Sequence, residues 1–135
     1  HQFKTLSKYF FGFSASDTPV GYRVYGGLPN TMNRLDTDGT IAPFGPIGSI
    51  IFTPEIVMDS ILEMKKIDGL WGKYGFYDAF NFEGSTPWIS KRYFSINKGL
   101  EMLMVNAYLY GDVHDAFMSH KIIIEGMEVL GWKKK

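Results

Sequence analysis

The clearest periodicity in the chain begins at Thr53-Pro54-Glu55. There a capping hydroxyl, a proline suited to the first helical position and a first-turn acid stand in succession. Val57, Met58, Ile61, Leu62 and Met64 then recur at helical spacing, with Glu55, Asp59, Glu63 and Lys66 on the opposite side. The pattern predicts a helix over 54–67, terminated at Gly69. A second helix is predicted over 98–110, opened by Asn97-Lys98-Gly99. Leu100, Met102, Leu103, Met104, Val105, Ala107, Tyr108, Leu109 and Tyr110 cover most of its circumference, so burial on nearly all sides is expected. Gly111-Asp112 breaks it. Ser119 then caps a last amphipathic helix over 119–131, with Ile122, Ile123, Met127 and Leu130 inward. A short buried helix is expected from about Pro46, and Phe3, Leu6, Tyr9 and Phe10 carry the spacing of one more helical end. The expected class is all-α.

Between the helices the pattern changes to glycine punctuated by rings. Asp68 to Asn81 holds Gly69, Gly72 and Gly75 among Trp71, Tyr74, Phe76, Tyr77 and Phe80, with Asp78 and Asn81 inside the aromatic surround. Such a stretch is too glycine-rich for a helix interior and too aromatic for a solvated linker. Aromatic faces cover the apolar C–H faces of sugars, and planar polar groups take the hydroxyls, so this composition suits carbohydrate. A plain packed loop over the core is the competing reading. Phe11 to Gly27 is a second such loop, with Tyr22 and Tyr25 as its rings and Asp17 as either a turn cap or a carboxylate aimed into a cleft. Residues 28–40 continue as loop. Asp36-Thr37-Asp38-Gly39-Thr40 opens like a calcium loop, but Gly39 stands fourth and Ile47 occupies the twelfth position, so a turn explains it better than an EF-hand.

Composition narrows the partners. The 135 residues suffice for one domain, and 14 basic against 14 acidic residues leave no net field for nucleic acid or an anionic membrane. Lys133-Lys134-Lys135 reads as a solvated tail. Absence of cysteine removes thiol catalysis and disulfides. His1, His114 and His120 lack zinc-ligand spacing, no phosphate-cradling glycine loop occurs, and Ser14 and Ser16 beside Asp17 sit in no nucleophile-elbow pattern. No cofactor or metal is expected. What survives is carboxylates among aromatics on helix-connecting loops, which points toward carbohydrate chemistry.

Four blocks occur in order: Phe13-Ser-Ala-Ser-Asp17, Gly21-Tyr-Arg-Val-Tyr-Gly26, Asp38-Gly-Thr-Ile-Ala-Pro43 and Leu70-Trp-Gly-Lys-Tyr-Gly-Phe-Tyr-Asp-Ala-Phe-Asn81. Together they resemble the C-terminal half of the bacterial glucoamylase-like domain, a family that includes endo-β-1,2-glucanases. The resemblance implies an (α/α)6 toroid, with residues 1–135 as a single domain supplying its C-terminal portion. A start at His1 rather than methionine fits that expectation. It also implies a glucan or oligosaccharide substrate, a periplasmic or extracellular setting, and completion by an N-terminal half or a second chain. Carried onto this sequence, it makes Asp17 and Asp78 the candidate catalytic carboxylates. Tyr22, Arg23, Tyr25, Trp71, Tyr77, Phe80, Asn81 and Lys98 become candidate substrate-binding residues. Asp17, Tyr25, Asp78 and Asn81 are expected to converge in one cleft. The chain departs from the family in two places. Ile96-Asn97-Lys98-Gly99 stands for Ile-Asp-Gln-Gly, and Met104-Val-Asn-Ala-Tyr108 for Met-Ile-Glu-Asn-Tyr. Two carboxylates are thereby amides, Asn97 and Asn106, and an amide cannot exchange the proton that hydrolysis requires. The alternative expectation is therefore a non-catalytic glycan-binding or scaffold protein on the same fold.

Overall fold

A computed structural model describes residues 3–27 and 35–132. Residues 28–34 of the expected loop and the expected lysine tail lie outside them. In chain order the elements are β1 (Ala15–Ser16), β2 (Arg23–Val24), β3 (Gly26–Gly27), β4 (Leu35–Asp36), α1 (Phe44–Ile47) and α2 (Pro54–Met64). They continue with β5 (Trp71–Gly72), β6 (Gly75–Phe76), β7 (Phe80–Asn81), β8 (Trp88–Ile89), α3 (Ser95–Leu109), α4 (Asp112–Met118) and α5 (Lys121–Val129). The strands pair antiparallel as β1–β2, β3–β4, β5–β6 and β7–β8. The all-α expectation is thus corrected: the helices are joined by loops that carry short ladders. The physical reason is that buried loop backbone needs partners, and these loops find them in one another. Trp71 faces Phe76 and Gly72 faces Gly75 across the β5–β6 hairpin, with Gly75 at φ +87°. Ile41 bridges Phe80 in addition.

The core sits under these loops. Ile41, Ile47, Met64, Leu70, Phe76 and Phe80 form its buried cluster, with Phe10, Phe13, Ile61 and Val105 packed against it. Phe80 is fully buried and meets Phe10 edge-on at 5.4 Å. Gly12 lets the N-terminal segment run against α1. At φ +114° it lies so close that a Cβ would stand 2.7 Å from the Pro46 ring, and its carbonyl accepts the Ala42 N–H at 3.2 Å.

The expected helical end near residues 3–10 is not formed. Thr5 is fully buried and donates both its N–H and its hydroxyl to Glu83 Oε1, at 2.7 and 2.8 Å, while the Phe82 N–H donates to the Thr5 hydroxyl at 2.8 Å. Those long-range bonds take the groups a helix would have used. The helix predicted over 54–67, α2, starts at Pro54 as expected, although the Thr53 side chain makes no cap bond, and helical turns carry on to Ile67 before Gly69 at φ +73°. Val57 and Met64 are buried, but Met58 and Leu62 are exposed.

The helix predicted over 98–110 needs the largest correction. α3 exists, but its one buried residue is Asn97, and Met102 and Tyr110 are each 75% exposed. α4 and α5 bury no residue at all, and Ile122 and Leu130, expected inward, face outward. The last helix also begins later than Ser119, because the His120 side chain accepts the Ile122 N–H and acts as its cap. An apolar circumference calls for a covering layer on each side, and among the described residues α3 packs against α1 and α4.

Candidate functional site

Three extended segments and the first turn of α3 meet at two carboxylates. Asp17 follows β1, where Thr18 and Gly21 exchange backbone hydrogen bonds and reverse the chain into β2. Asp78 follows the β5–β6 hairpin, its own N–H donating to the Arg92 carbonyl at 3.1 Å. The Asp17 N–H donates to Asp78 Oδ2 at 2.7 Å, joining groups 61 residues apart in sequence. Asn97 Nδ2 donates to Asp78 Oδ1 at 2.7 Å. Around Asp17, the Ser90 hydroxyl donates to Oδ2 at 2.7 Å and Arg92 Nη1 to Oδ1 at 3.3 Å. Both carboxylates are buried. Each of their four oxygens accepts a hydrogen bond, so the pair has the satisfied character a buried charge requires.

Burial pushes the Asp78 carboxyl above the usual carboxylate range, and the nearby Asp17 charge adds to it; the Asp17 N–H, Asn97 and Lys98 act against the rise without cancelling it. Glu101 is raised as well. Burial outweighs the Lys98 ammonium, although that group stands 2.6 Å from Glu101 Oε2. The Asp78 charge raises Glu101 further, and Lys98 acts against the rise in both, which links α3 electrostatically to the acid pair.

Two cavities flank this cluster. One of about 290 Å³ is lined by Asp17, Thr18, Pro19, Trp88, Ser90 and Arg92, a polar mouth with one indole. The other, about 540 Å³, is mainly apolar and lies between α2, α3 and the β5–β6 hairpin. Ile47, Ile61, Trp71, Tyr74, Lys98 and Glu101 are among its walls.

Of the residues singled out in the sequence, Asp17 and Asp78 are brought together. Asn81 is not with them: its Nδ2 donates to the Asp38 carbonyl at 3.2 Å and the Thr40 hydroxyl at 2.9 Å, and its Oδ1 accepts the Glu83 N–H at 2.8 Å. It therefore fixes the Asp38 turn, where Asp38 Oδ1 accepts the Thr40 N–H at 2.9 Å as in an ordinary Asx turn. Tyr25 belongs to the same neighbourhood. Burial raises its phenol pKa, with the Asp38 carboxylate next in effect. Phe80 is corrected from a sugar-facing ring to a core residue, since no face of it reaches solvent. Tyr22 is exposed and leans on Phe94 at 5.0 Å, and Arg23 is exposed on β2. Tyr77 stacks on Tyr93 at 4.8 Å. Trp71 and Lys98 line the larger cavity.

Trp88, Ser90 and Arg92 were missed as site residues, and so was Glu101. Their signal was present: 88, 90 and 92 alternate along an extended segment and so share one face. Glu101 lies one helical turn beyond Asn97.

Comparison with known proteins agrees with this architecture. The Glycoamylase family model, described as putative glucoamylase, matches residues 1–121. An exo beta-1,2-glucooligosaccharide sophorohydrolase (non-reducing end) of Parabacteroides distasonis is 31% identical over 120 residues, covering 87% of this chain and 16% of that enzyme. The crystal structure of a putative glucoamylase from Bacteroides fragilis superposes with a TM-score of 0.82 at 31% identity, over 98% of this chain and 30% of that one. An endo-beta-1,2-glucanase from Chitinophaga pinensis, in complex with sophorotriose and glucose, gives 0.80 at 26% identity, over 93% and 29%. The chain thus spans less than a third of the length of these relatives. A family model that covers nearly all of it, together with relatives alike in sequence and backbone, establishes that the chain belongs to the glycoamylase family.

Proposed function

We propose that this chain forms one wall of the sugar cleft of a glucan-cleaving glycoside hydrolase, with β-1,2-linked glucan as substrate. The observation that carries this reading is the Asp17 carboxylate, hydrogen-bonded into one network with Asp78 and opening on a cavity walled by Trp88 and Arg92. The relatives act on β-1,2-linked glucose, which supports that substrate class. In this reading Trp88 offers its face to a pyranose ring and Arg92 and Ser90 hold the Asp17 carboxylate in place. Asp78 is the acid member, because burial makes its carboxyl hold a proton more tightly. Hydrolysis needs a proton given to the leaving glycosidic oxygen and a second carboxylate to direct water or attack the anomeric carbon. Asp17 fills that second place. The uncovered apolar faces of α3, α4 and α5 are met in this reading by the other helices of the toroid, carried on an N-terminal half or a second chain. The setting that goes with it is periplasmic or extracellular.

A second reading, a glycan-binding protein without turnover, is favoured by Asn97 and Asn106. Asn97 gives Asp78 a non-titrating neighbour, and Asn106 Oδ1 is buried with no hydrogen-bond partner among the described residues. Calorimetric titration with sophorotriose, alongside a reducing-end assay on β-1,2-glucan, tests both. Trp88→Ala is expected to weaken binding about tenfold, equivalent to ~1.4 kcal/mol. Asp17→Asn is expected to abolish hydrolysis in the first reading and only to weaken binding in the second. Unaltered affinity in both variants would leave the cleft assignment without support.

A further inference from the structure

Asn97 is the single buried residue of α3, and its position is explained by what its amide nitrogen touches. Nδ2 stands 2.7 Å from Asp78 Oδ1 and 3.4 Å from the Ala15 carbonyl oxygen. Both neighbours are acceptors. The remaining Asp78 oxygen already receives the Asp17 N–H at 2.7 Å. Position 97 must therefore supply a proton, and an amide nitrogen supplies two at every pH, whereas a carboxylate supplies none. Other charged groups face Asp78 without replacing that donor. Asp17 comes from the β1–β2 turn, itself bound to Arg92 from the segment after β8, and Lys98 and Glu101 come from α3, paired with each other.

We propose that Asn97 is the positioning residue of the Asp17–Asp78 pair, the fixed donor that holds the Asp78 carboxylate against the Asp17 backbone while both remain buried. The role of that pair in catalysis rests on the hydrolase reading; the donor requirement at 97 does not. An aspartate placed there fits when protonated, its hydroxyl donating to Asp78 Oδ1. Once both carboxyls ionise, two acceptors are set against each other. An alanine removes the donor and leaves space. Exchanging the two groups restores the short hydrogen bond between positions 78 and 97 and leaves only the Ala15 carbonyl without its longer one, at 3.4 Å. In Asp78→Asn/Asn97→Asp the amide at 78 accepts the Asp17 N–H through its oxygen and donates through its nitrogen to the carboxylate at 97.

Thermal unfolding of the full chain at pH 5 and pH 8, without sugar, reads this directly. Asn97→Asp is expected to lose about 4–10 °C in Tm at pH 8 and to recover most of that loss at pH 5. Asn97→Ala is expected to stay below the wild type at both pH values. The exchange variant is expected to unfold above Asn97→Asp at pH 8. Equal losses at both pH values for Asn97→Asp, or an exchange no better than the two single changes added together, would overturn the proposal. If Asn97→Asp does not fold at pH 8, regained cooperative unfolding in the exchange variant supports the proposal, and its continued absence overturns it. Sophorotriose affinity measured on the same variants separates the two ideas. The pH pattern without any sugar binding keeps the positioning role and removes the hydrolase reading.

Discussion

Phe80→Ala is expected to lower the stability of the chain by about 3–5 kcal/mol, the range for deleting a fully buried aromatic ring. No part of Phe80 reaches solvent. Its ring stands edge-on to Phe10 at 5.4 Å and tilted against Phe82 at 5.2 Å, and its backbone exchanges hydrogen bonds with Ile41 at 2.9 and 3.0 Å. The N-terminal segment, the strand after the Asp38 turn and the aromatic loop therefore pack on one ring. Ile41, Leu70 and Met64 of the same cluster are themselves fully buried, so the gap left by alanine is only partly refilled by repacking. Denaturant unfolding measures the loss. Phe117→Ala is the control, at a ring 59% exposed, where a change near zero is expected. A loss below about 1 kcal/mol at Phe80 would mean that the ring is not packed as described.

Asp78→Ala is the other large effect. It strips the acceptor from two buried donors, the Asp17 N–H and the Asn97 amide. Each orphaned donor costs about 1–3 kcal/mol, and release of the buried carboxylate returns part of that, so a net loss of about 2–4 kcal/mol is expected. The pH dependence has a definite sign. The Asp78 pKa is raised in the folded chain, so its contribution to stability is full below the unfolded value of about 3.9 and is lost as pH rises through the folded value. The wild type therefore loses stability over that window and the alanine variant does not, so the deficit of the variant narrows as pH rises above about 4. A deficit that widens with pH would contradict the assignment of burial as the main cause.

Local rules read from the sequence were reliable where the answer is local. The start of α2 at Pro54 and the breaks at Gly69, Gly111 and Gly131, all at positive φ, needed only neighbouring residues. Chain reversal between Asp17 and Gly21 is equally local. Contacts across long intervals were not legible in the same way. Nothing near Phe3 to Phe10 signals that Thr5 will be held by Glu83, and that tie is what keeps the segment out of a helix. The role of Phe80 turned on burial, and that of Asn81 on partners 41 to 43 residues away. Composition could show that the loop held rings, an acid and an amide, but not which of them would face inward. The α3 pattern was read correctly as a helix needing cover, and completion from outside these residues was expected with it; the pattern alone could not show how much of the helix surface would stay open.

The division of aromatic residues between core and surface has an optical consequence. The buried rings are phenylalanines, Phe76 and Phe80 above all, which emit weakly. The chain has three tryptophans. Trp71 and Trp132 are more than half exposed, and Trp88 stands half-buried at the mouth of the polar cavity. Lys65 rides over the Trp71 ring at 4.6 Å. Intrinsic fluorescence in this protein therefore follows its surface first, and its core chiefly through Trp71, whose ring meets Phe76 edge-on at 4.8 Å. On the function proposed above, a glucan laid against Trp88 is expected to shift the emission toward the blue and shield it from iodide, while melting of the Phe80 cluster is expected to free Trp71 from Phe76 and move the emission the other way.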